Sequence, residues 1–413
     1  MTNIKQYSDA PDKTRARLLL LASGTFVVGT GGFVIAGVLP GIGESLGVTQ
    51  STASLLITVY ALVFAVSTPL IAMVTGRVSR TTLMVLGLAV VTAGNILLAL
   101  APSFEVAVFA RVLAALGAAA FVPAATASAA AIAAPGKQGR AISLVSSGFT
   151  AATALGAPIG TAIGAIGTWH SALWFVVILG AVVVVGVSTL LRRIPLPAPL
   201  TARQRFAPLA NARVGVTLIT VVLLVTGQYS GYTFFGSVQD RATDGNGTIL
   251  AILLFVYGVF ATAGNLVAGT LSDRFGNRRV LDIALVVLIV DFIVMPFAAA
   301  TLVGAIITIA IWAAAAWAAV LATQHRIVEI MPSAIAWQSS ATFVGIALSG
   351  PLGSIAIGTV GAHNLTWVAA GVILLALIAG GFSHLLIARH AKAAHEPMPA
   401  GEDAGTAAVI APR

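Results

Sequence analysis

The sequence predicts an all-α integral membrane protein, with twelve transmembrane helices in two six-helix halves. Three observations carry this expectation. Of 413 residues, 58% are hydrophobic and only 8% charged, whereas soluble domains carry about 25% charged residues. Apolar runs of about 20 residues, long enough to cross a bilayer, recur along the whole chain. Of the 22 Lys and Arg residues, all but Arg241, in an outer loop, and Arg111, inside a span, fall on one side of the resulting alternation. Short loops rich in Lys and Arg stay in the cytoplasm, so the pattern sets orientation as well as class.

Residues 1–16 form a basic cytoplasmic segment whose first dozen residues read as unstructured. The first span covers 17–41. Its apolar stretch reaches about Ile42, too long for the core of a signal peptide, so it is expected to stay. Spans at 52–74, 81–101, 104–133, 140–165 and 169–191 complete an N-terminal half at 17–191. The connection 192–213 holds Pro195, Pro197 and Pro199, and alternating prolines favour a stiff, extended linker. Arg192, Arg193, Arg203, Arg205 and Arg213 place it in the cytoplasm. Spans at 214–238, 248–271, 279–299, 301–324, 336–360 and 365–388 form the C-terminal half, 214–388. The tail, 389–413, is rich in Ala, Gly and Pro and is expected to be disordered, because it cannot bury enough apolar surface to order itself. Both termini then lie in the cytoplasm of a multi-pass plasma (inner) membrane protein, and the short outer loops leave no room for a periplasmic domain.

The net charge of +9 reads as topology and contact with anionic lipid. No basic stripe is interleaved with exposed aromatics, so nucleic acid is not an expected partner. The absence of Cys excludes disulfides, thiolate metal sites and Cys catalysis. His325, His390 and His395 lie at or beyond the cytoplasmic boundary without metal-ligand spacing, so neither a metal nor a cofactor is expected. An enzyme would need clustered titratable groups within the spans. Only Arg111 and Asp291 are found there, on different helices, so the chain is not expected to be an enzyme.

The halves look duplicated. Ala154-Leu155-Gly156-Ala157-Pro158-Ile159-Gly160 in span five matches Ala347-Leu348-Ser349-Gly350-Pro351-Leu352-Gly353 in span eleven. Trp174 and Trp367 follow the two prolines at equal distance, His170 and His363 sit between, and Val59-Tyr60 is echoed by Val256-Tyr257. Duplicated six-helix units are one architecture for alternating access.

The loop Gly269-Thr270-Leu271-Ser272-Asp273-Arg274-Phe275-Gly276-Asn277-Arg278-Arg279 resembles the G-x-x-x-D-R-x-G-x-R-R signature of the major facilitator superfamily. That signature is usually strongest between spans two and three, where this chain has a degraded copy without the acid, Gly76-Arg77-Val78-Ser79-Arg80. Arg111 with Gly117 is similar to the family's span-four motif, and Gly156-Ala157-Pro158-Ile159-Gly160 to the span-five motif of its antiporters. Phe33-Val34-Ile35-Ala36-Gly37-Val38-Leu39-Pro40 resembles the first span of bacterial twelve-span drug:proton antiporters. The resemblance covers about residues 17–390. It implies proton-coupled export of a small organic molecule, a drug or a sugar- or nucleoside-like metabolite. Many such antiporters carry an acid just before the Phe-Val-Ile stretch. Gly31-Gly32 stands there instead, which leaves a proton-independent facilitator or importer open.

Residue by residue, Asp273 with Arg274 and Arg278, in the loop that also holds Gly269 and Gly276, could form a charge-assisted clasp that closes the inner side, or merely anchor the loop in the headgroups. Gly156, Pro158 and Gly160 would form, with Gly350, Pro351 and Gly353, the close contact on which the halves rock, or ordinary helix packing. Arg111, about 10 Å into its span, must face a cavity or a partner unless it snorkels. Tyr60 starts at a similar depth, and its hydroxyl could accept from the guanidinium. Asp291 is the carboxylate nearest mid-membrane and could carry a proton or pair with a neighbouring helix. Gln228, Tyr232 and Phe235 share a face of span seven suited to a semi-polar ligand, and Trp312 is favoured over Trp317 by depth. The expected partners are a small-molecule substrate, a proton and membrane lipid, with the protein working as a monomer.

Overall fold

The computed structural model describes residues 11–75, 78–134, 137–191, 194, 206–331 and 334–395. Twelve long helical spans account for most of them, and no strand occurs among the described residues. In the first half these are α1 (Pro11–Ser45), α2 (Leu55–Val74), α3 (Arg80–Ala99), α4 (Phe104–Ile132), α5 and α6 (Trp169–Leu190). Helix α5 is built from Gln138–Ala151, a π-helical turn Ala152–Gly156, and Ala157–Ile166. In the second half they are α7 (Ala212–Thr233), α8 (Gly247–Phe275), α9 (Asn277–Ala298), α10 (Leu302–Ile330), α11 (Ile335–Val360) and α12 (Leu365–His395). Eleven are long and apolar enough to cross a membrane, and α12 adds a shorter apolar stretch, Leu365–Gly381.

Local chemistry sets several of the boundaries. Ser79, Asn211, Asn246 and Thr301 cap α3, α7, α8 and α10 by accepting from backbone N–H groups of the first turn, satisfying donors that no intrahelical carbonyl reaches. Only Gly276, at φ 84°, separates α8 from α9; a side chain there would be strained. Prolines at 40, 69, 123, 296 and 351 sit inside helices, where packed neighbours tolerate the lost hydrogen bond.

Helix reaches further than the sequence suggested at both edges of the described residues. Helix α1 starts at Pro11, and α12 runs on to His395, through residues expected to be disordered; residues 1–10 and 396–413 lie outside the described ones. Of the linker, residues 192, 193 and 195–205 are also outside them. A 3-10 turn at Ala207–Ala210 leads into the α7 cap.

The two halves repeat one packing scheme. In the first, α1 packs on α5 and α6, α2 on α4, and α3 on α4 and α6. In the second, α7 packs on α11 and α12, α8 on α10, and α9 on α10 and α12. The halves meet through two equivalent pairs, α5 on α8 and α11 on α2. Such equivalence is what a duplicated six-helix unit produces. Large apolar side chains such as Val74, Ile166, Leu266 and Phe297 remain exposed, as a lipid surround allows. Association therefore rests on close packing of small residues rather than on expulsion of water. Gly87 and Gly94 of α3 meet the α4 backbone around Gly117 and Ala114, where an added methyl would overlap main-chain atoms.

Candidate functional site

Helices α1, α2, α4, α7 and α11 converge on a cavity of about 30 Å³ lined by Gly32, Phe33, Ile57, Tyr60, Arg111, Tyr229, Tyr232, Thr233, Phe343 and Ile346. Arg111 is 1% exposed. Its Nε donates to the Leu56 carbonyl at 3.0 Å and its Nη1 to the Gly31 carbonyl at 3.0 Å, tying α4 to α2 and α1. Nη2 is buried without a hydrogen-bond partner. The guanidinium lies over the Tyr60 ring, 4.1 Å from its centroid. The expected partnership with Tyr60 is therefore made through the ring face rather than the hydroxyl, because a guanidinium is attracted to the negative face of an aromatic ring.

Tyr232 meets Phe33 edge-on across the cavity, at a centroid distance of 6.1 Å, and its hydroxyl is buried without a partner. Gln228 and Trp312 lie behind it, outside the cavity lining. The Tyr257 hydroxyl donates to Gln228 Oε1 at 3.2 Å. Trp312 is enclosed by Phe235, Tyr257 and Phe292 at centroid distances of 5.8, 5.1 and 5.3 Å. Phe235 sits beyond the end of α7, so the shared helical face ends at Thr233, although its ring still comes within 6.2 Å of Tyr232. The structure thus brings Tyr60, Arg111 and Tyr232 to one cavity, and places Gln228 and Trp312 in an aromatic cluster that backs it.

Contacts between the halves flank the cavity on two sides. Toward the end of the bundle that carries the described termini, Phe64 of α2 stacks on Phe343 of α11, centroids 3.8 Å apart. Toward the opposite end, Ser54 meets Ser354 at 3.5 Å, and Ser237 hydrogen-bonds Gln50. A volume of about 30 Å³ suits a water molecule or two. Pockets for organic ligands run to about 300–1,000 Å³, so the cavity must widen before such a substrate fits.

The two Gly-Pro segments do not pack on each other. Gly156 and Gly160 lie against Thr30 and Val34 of α1; Gly350 lies against Thr58 of α2 and Ser54 just before that helix, and Gly353 against Phe234. The expected single pivot is replaced by two separate crossings. In each, a Gly-Pro helix is wedged between the first helix of its own half and the second helix of the other. Gly258 of α8, not singled out from the sequence, completes the first crossing against the Thr153 and Ala154 backbone of the α5 π-helical turn.

Asp291, 5% exposed, lies apart from the cavity on α9. It lines a groove of about 410 Å³ formed with α10, walled by Val286, Val290, Val294, Ile307 and Ile311. At the α8–α9 junction, Arg274 lies over the Phe275 ring at 5.3 Å, and Arg278 pairs with Asp282 at 3.5 Å within α9. Gly269 faces Leu321 of α10. The side chain of Asp273 lies outside the described ones. Among the described residues no group of three or more His, Cys, Asp and Glu could hold a metal ion.

Sequence reasoning also missed Phe343 and Tyr229. For Phe343 a signal existed: it stands 194 positions after Phe149, within the spacing of the other duplicated residues. For Tyr229, beside the chosen Gln228, none did.

Comparison with known proteins gives a consistent family. The profile described as Major Facilitator Superfamily matches residues 21–242 and 241–409. The chain is 28% identical over 367 residues to the uncharacterized MFS-type transporter YbcL of Bacillus subtilis, covering 88% of this chain and 94% of that one. It is 31% identical over 264 residues to a chloramphenicol resistance protein of Streptomyces lividans, covering 62% and 67%. The fold is similar to a bacterial homolog of the human lysosomal transporter Spinster in an inward-facing, occupied conformation. That match has a TM-score of 0.73 and 19% identity, and covers 93% of this chain and 99% of that chain.

Proposed function

The chain belongs to the major facilitator superfamily, and on that premise we propose that it exports a small organic compound, a drug or a sugar- or nucleoside-like metabolite, by alternating access. It is a multi-pass membrane transporter of a small substrate, from a family of transporters rather than enzymes. The carrying observation is a cavity between two equivalent halves, flanked on two sides by contacts of one half with the other. Breaking Phe64–Phe343 opens one side and breaking Ser54–Ser354 the other, while the α5–α8 and α2–α11 crossings serve as pivots. Substrate or proton must bind the two open states unequally to move the equilibrium.

In this reading the halves are 17–191 and 214–388, and the protein works as a monomer in a bacterial inner membrane with both termini in the cytoplasm. The placement of the Lys and Arg residues supports that orientation. Similarity to a chloramphenicol resistance protein supports export. Tyr60, Arg111 and Tyr232 contact substrate; Gln228 and Trp312 hold the wall behind them. Asp273 with Arg274 and Arg278 biases closure of the cytoplasmic side. Proton coupling would run through Asp291 and Arg111. A second reading, a proton-independent facilitator or importer, is favoured by one feature: no acidic residue is among those lining the cavity.

The test is transport in proteoliposomes under an imposed pH gradient, with a panel of labelled compounds that includes chloramphenicol. Transport accelerated by the gradient supports coupled export. A rate indifferent to it selects the second reading. A panel in which no compound moves overturns both.

A further inference from the structure

The cavity carries a positive charge that the described protein atoms around it do not neutralise. Arg111 spends two donors on neutral helix carbonyls, those of Leu56 and Gly31. Its Nη2 and the Tyr232 hydroxyl are buried without partners, and both residues line the same cavity. Its walls include the rings of Phe33, Tyr60 and Phe343. Two orphaned donors, one cationic, beside aromatic surfaces describe a ligand by complement. Each donor costs free energy while buried and unmet. A cation brought into this poorly screened space would be repelled by the guanidinium, and an anion attracted. A flat ring would find edge and face contacts on the walls.

From this we infer that the substrate is an aromatic organic anion, whose negative group sits between Arg111 Nη2 and the Tyr232 hydroxyl while its ring lies among Phe33, Tyr60 and Phe343. The inference rests on the transport reading above and narrows it to one chemical class. It also bears on energetics. A membrane potential negative inside drives an anion outward unaided. Export of this class therefore needs no proton carrier in the cavity, in keeping with a lining that holds Arg111 and no acid.

Binding to the purified full-length protein in detergent, measured with three matched probes, tests the inference. The probes are 2-naphthoate, 2-naphthamide and 2-naphthylmethylammonium. The expected order is naphthoate, then naphthamide, then the ammonium, with at least tenfold between the first and last. Arg111→Gln should collapse that ratio to near one. Tyr232→Phe, which keeps ring and volume, should weaken naphthoate severalfold while leaving the ammonium unchanged. An ammonium that binds as tightly as naphthoate overturns the inference. So does a preference for naphthoate that survives unchanged in both variants.

The same probes in proteoliposomes separate this failure from failure of the transport reading. Naphthoate bound with the expected preference but never moved leaves the anion site standing and removes the proposed export. The ammonium moved and naphthoate ignored does the reverse.

Discussion

Replacing Gly258 by alanine adds a single methyl at the crossing of α8 with the α5 π-helical turn. That methyl would lie 2.6 Å from the Thr153 carbonyl oxygen and 2.7 Å from the Ala154 nitrogen, with the Ala154 Cα closer still. Comfortable contacts between heavy atoms fall near 3.5–4.0 Å, so the two helices must part by about 1 Å. The obstructing atoms are backbone, and no rotamer change relieves them. Overpacking of this kind costs about 1–3 kcal/mol. If that cost falls wholly on the closed arrangement, it shifts the balance away from it by roughly 5- to 150-fold. Gly371 of α12 serves as the control, because a methyl there meets no atom within 4 Å, and alanine is the better helix former. Melting in detergent should fall by a few degrees for Gly258→Ala and stay level or rise for Gly371→Ala. Cross-linking between engineered cysteines at Ser54 and Ser354 should lose yield only in the Gly258 variant. If Gly258→Ala melts and cross-links like Gly371→Ala, the crossing is not the close contact described.

The cross-link is itself a prediction. The parent has no cysteine, and Ser54 and Ser354 already touch at 3.5 Å. The pair Ser54→Cys/Ser354→Cys should form a disulfide on mild oxidation and halt transport until reduced; transport that continues through the cross-linked form would show that this end need not open. Arg111→Ala should abolish transport while membrane expression stays intact, since the guanidinium links α1, α2 and α4 and presents a charge to the cavity; wild-type rates would remove Arg111 from the mechanism. Asp291→Asn should erase any dependence of transport on the pH gradient if this carboxyl is the carrier. An unchanged dependence would assign it a structural role on α9.

Much of the architecture was legible because it follows from local quantities. A span declares itself by the apolar content of about 20 residues, whatever its neighbours do. Duplication was legible in the matched Gly-Pro segments, and the repeated packing of the two halves accords with it. Arg111 stood out because a charge at that depth needs a partner. The cavity was only partly legible. Helical spacing joined Gln228 and Phe235 to Tyr232, yet α7 ends at Thr233 and the Gln228 side chain is engaged by Tyr257. Depth alone favoured Trp312, and depth carries no information on azimuth; the ring packs into the aromatic cluster of its own half. The Gly-Pro segments were recognised as close-contact helices but assigned to each other. Small residues announce that something comes near, not what.

Apolar run length by itself indicated twelve spans, because insertion in lipid is decided segment by segment against the same apolar solvent, and short motifs by themselves indicated the family the chain resembles. Only the tertiary structure decided that Tyr60 offers its ring to Arg111, that α5 lies on α8 and α11 on α2, and that Phe64 meets Phe343 and Ser54 meets Ser354 beside the cavity. These depend on how helices distant in sequence turn their faces to one another, which packing between them fixes and no single segment contains.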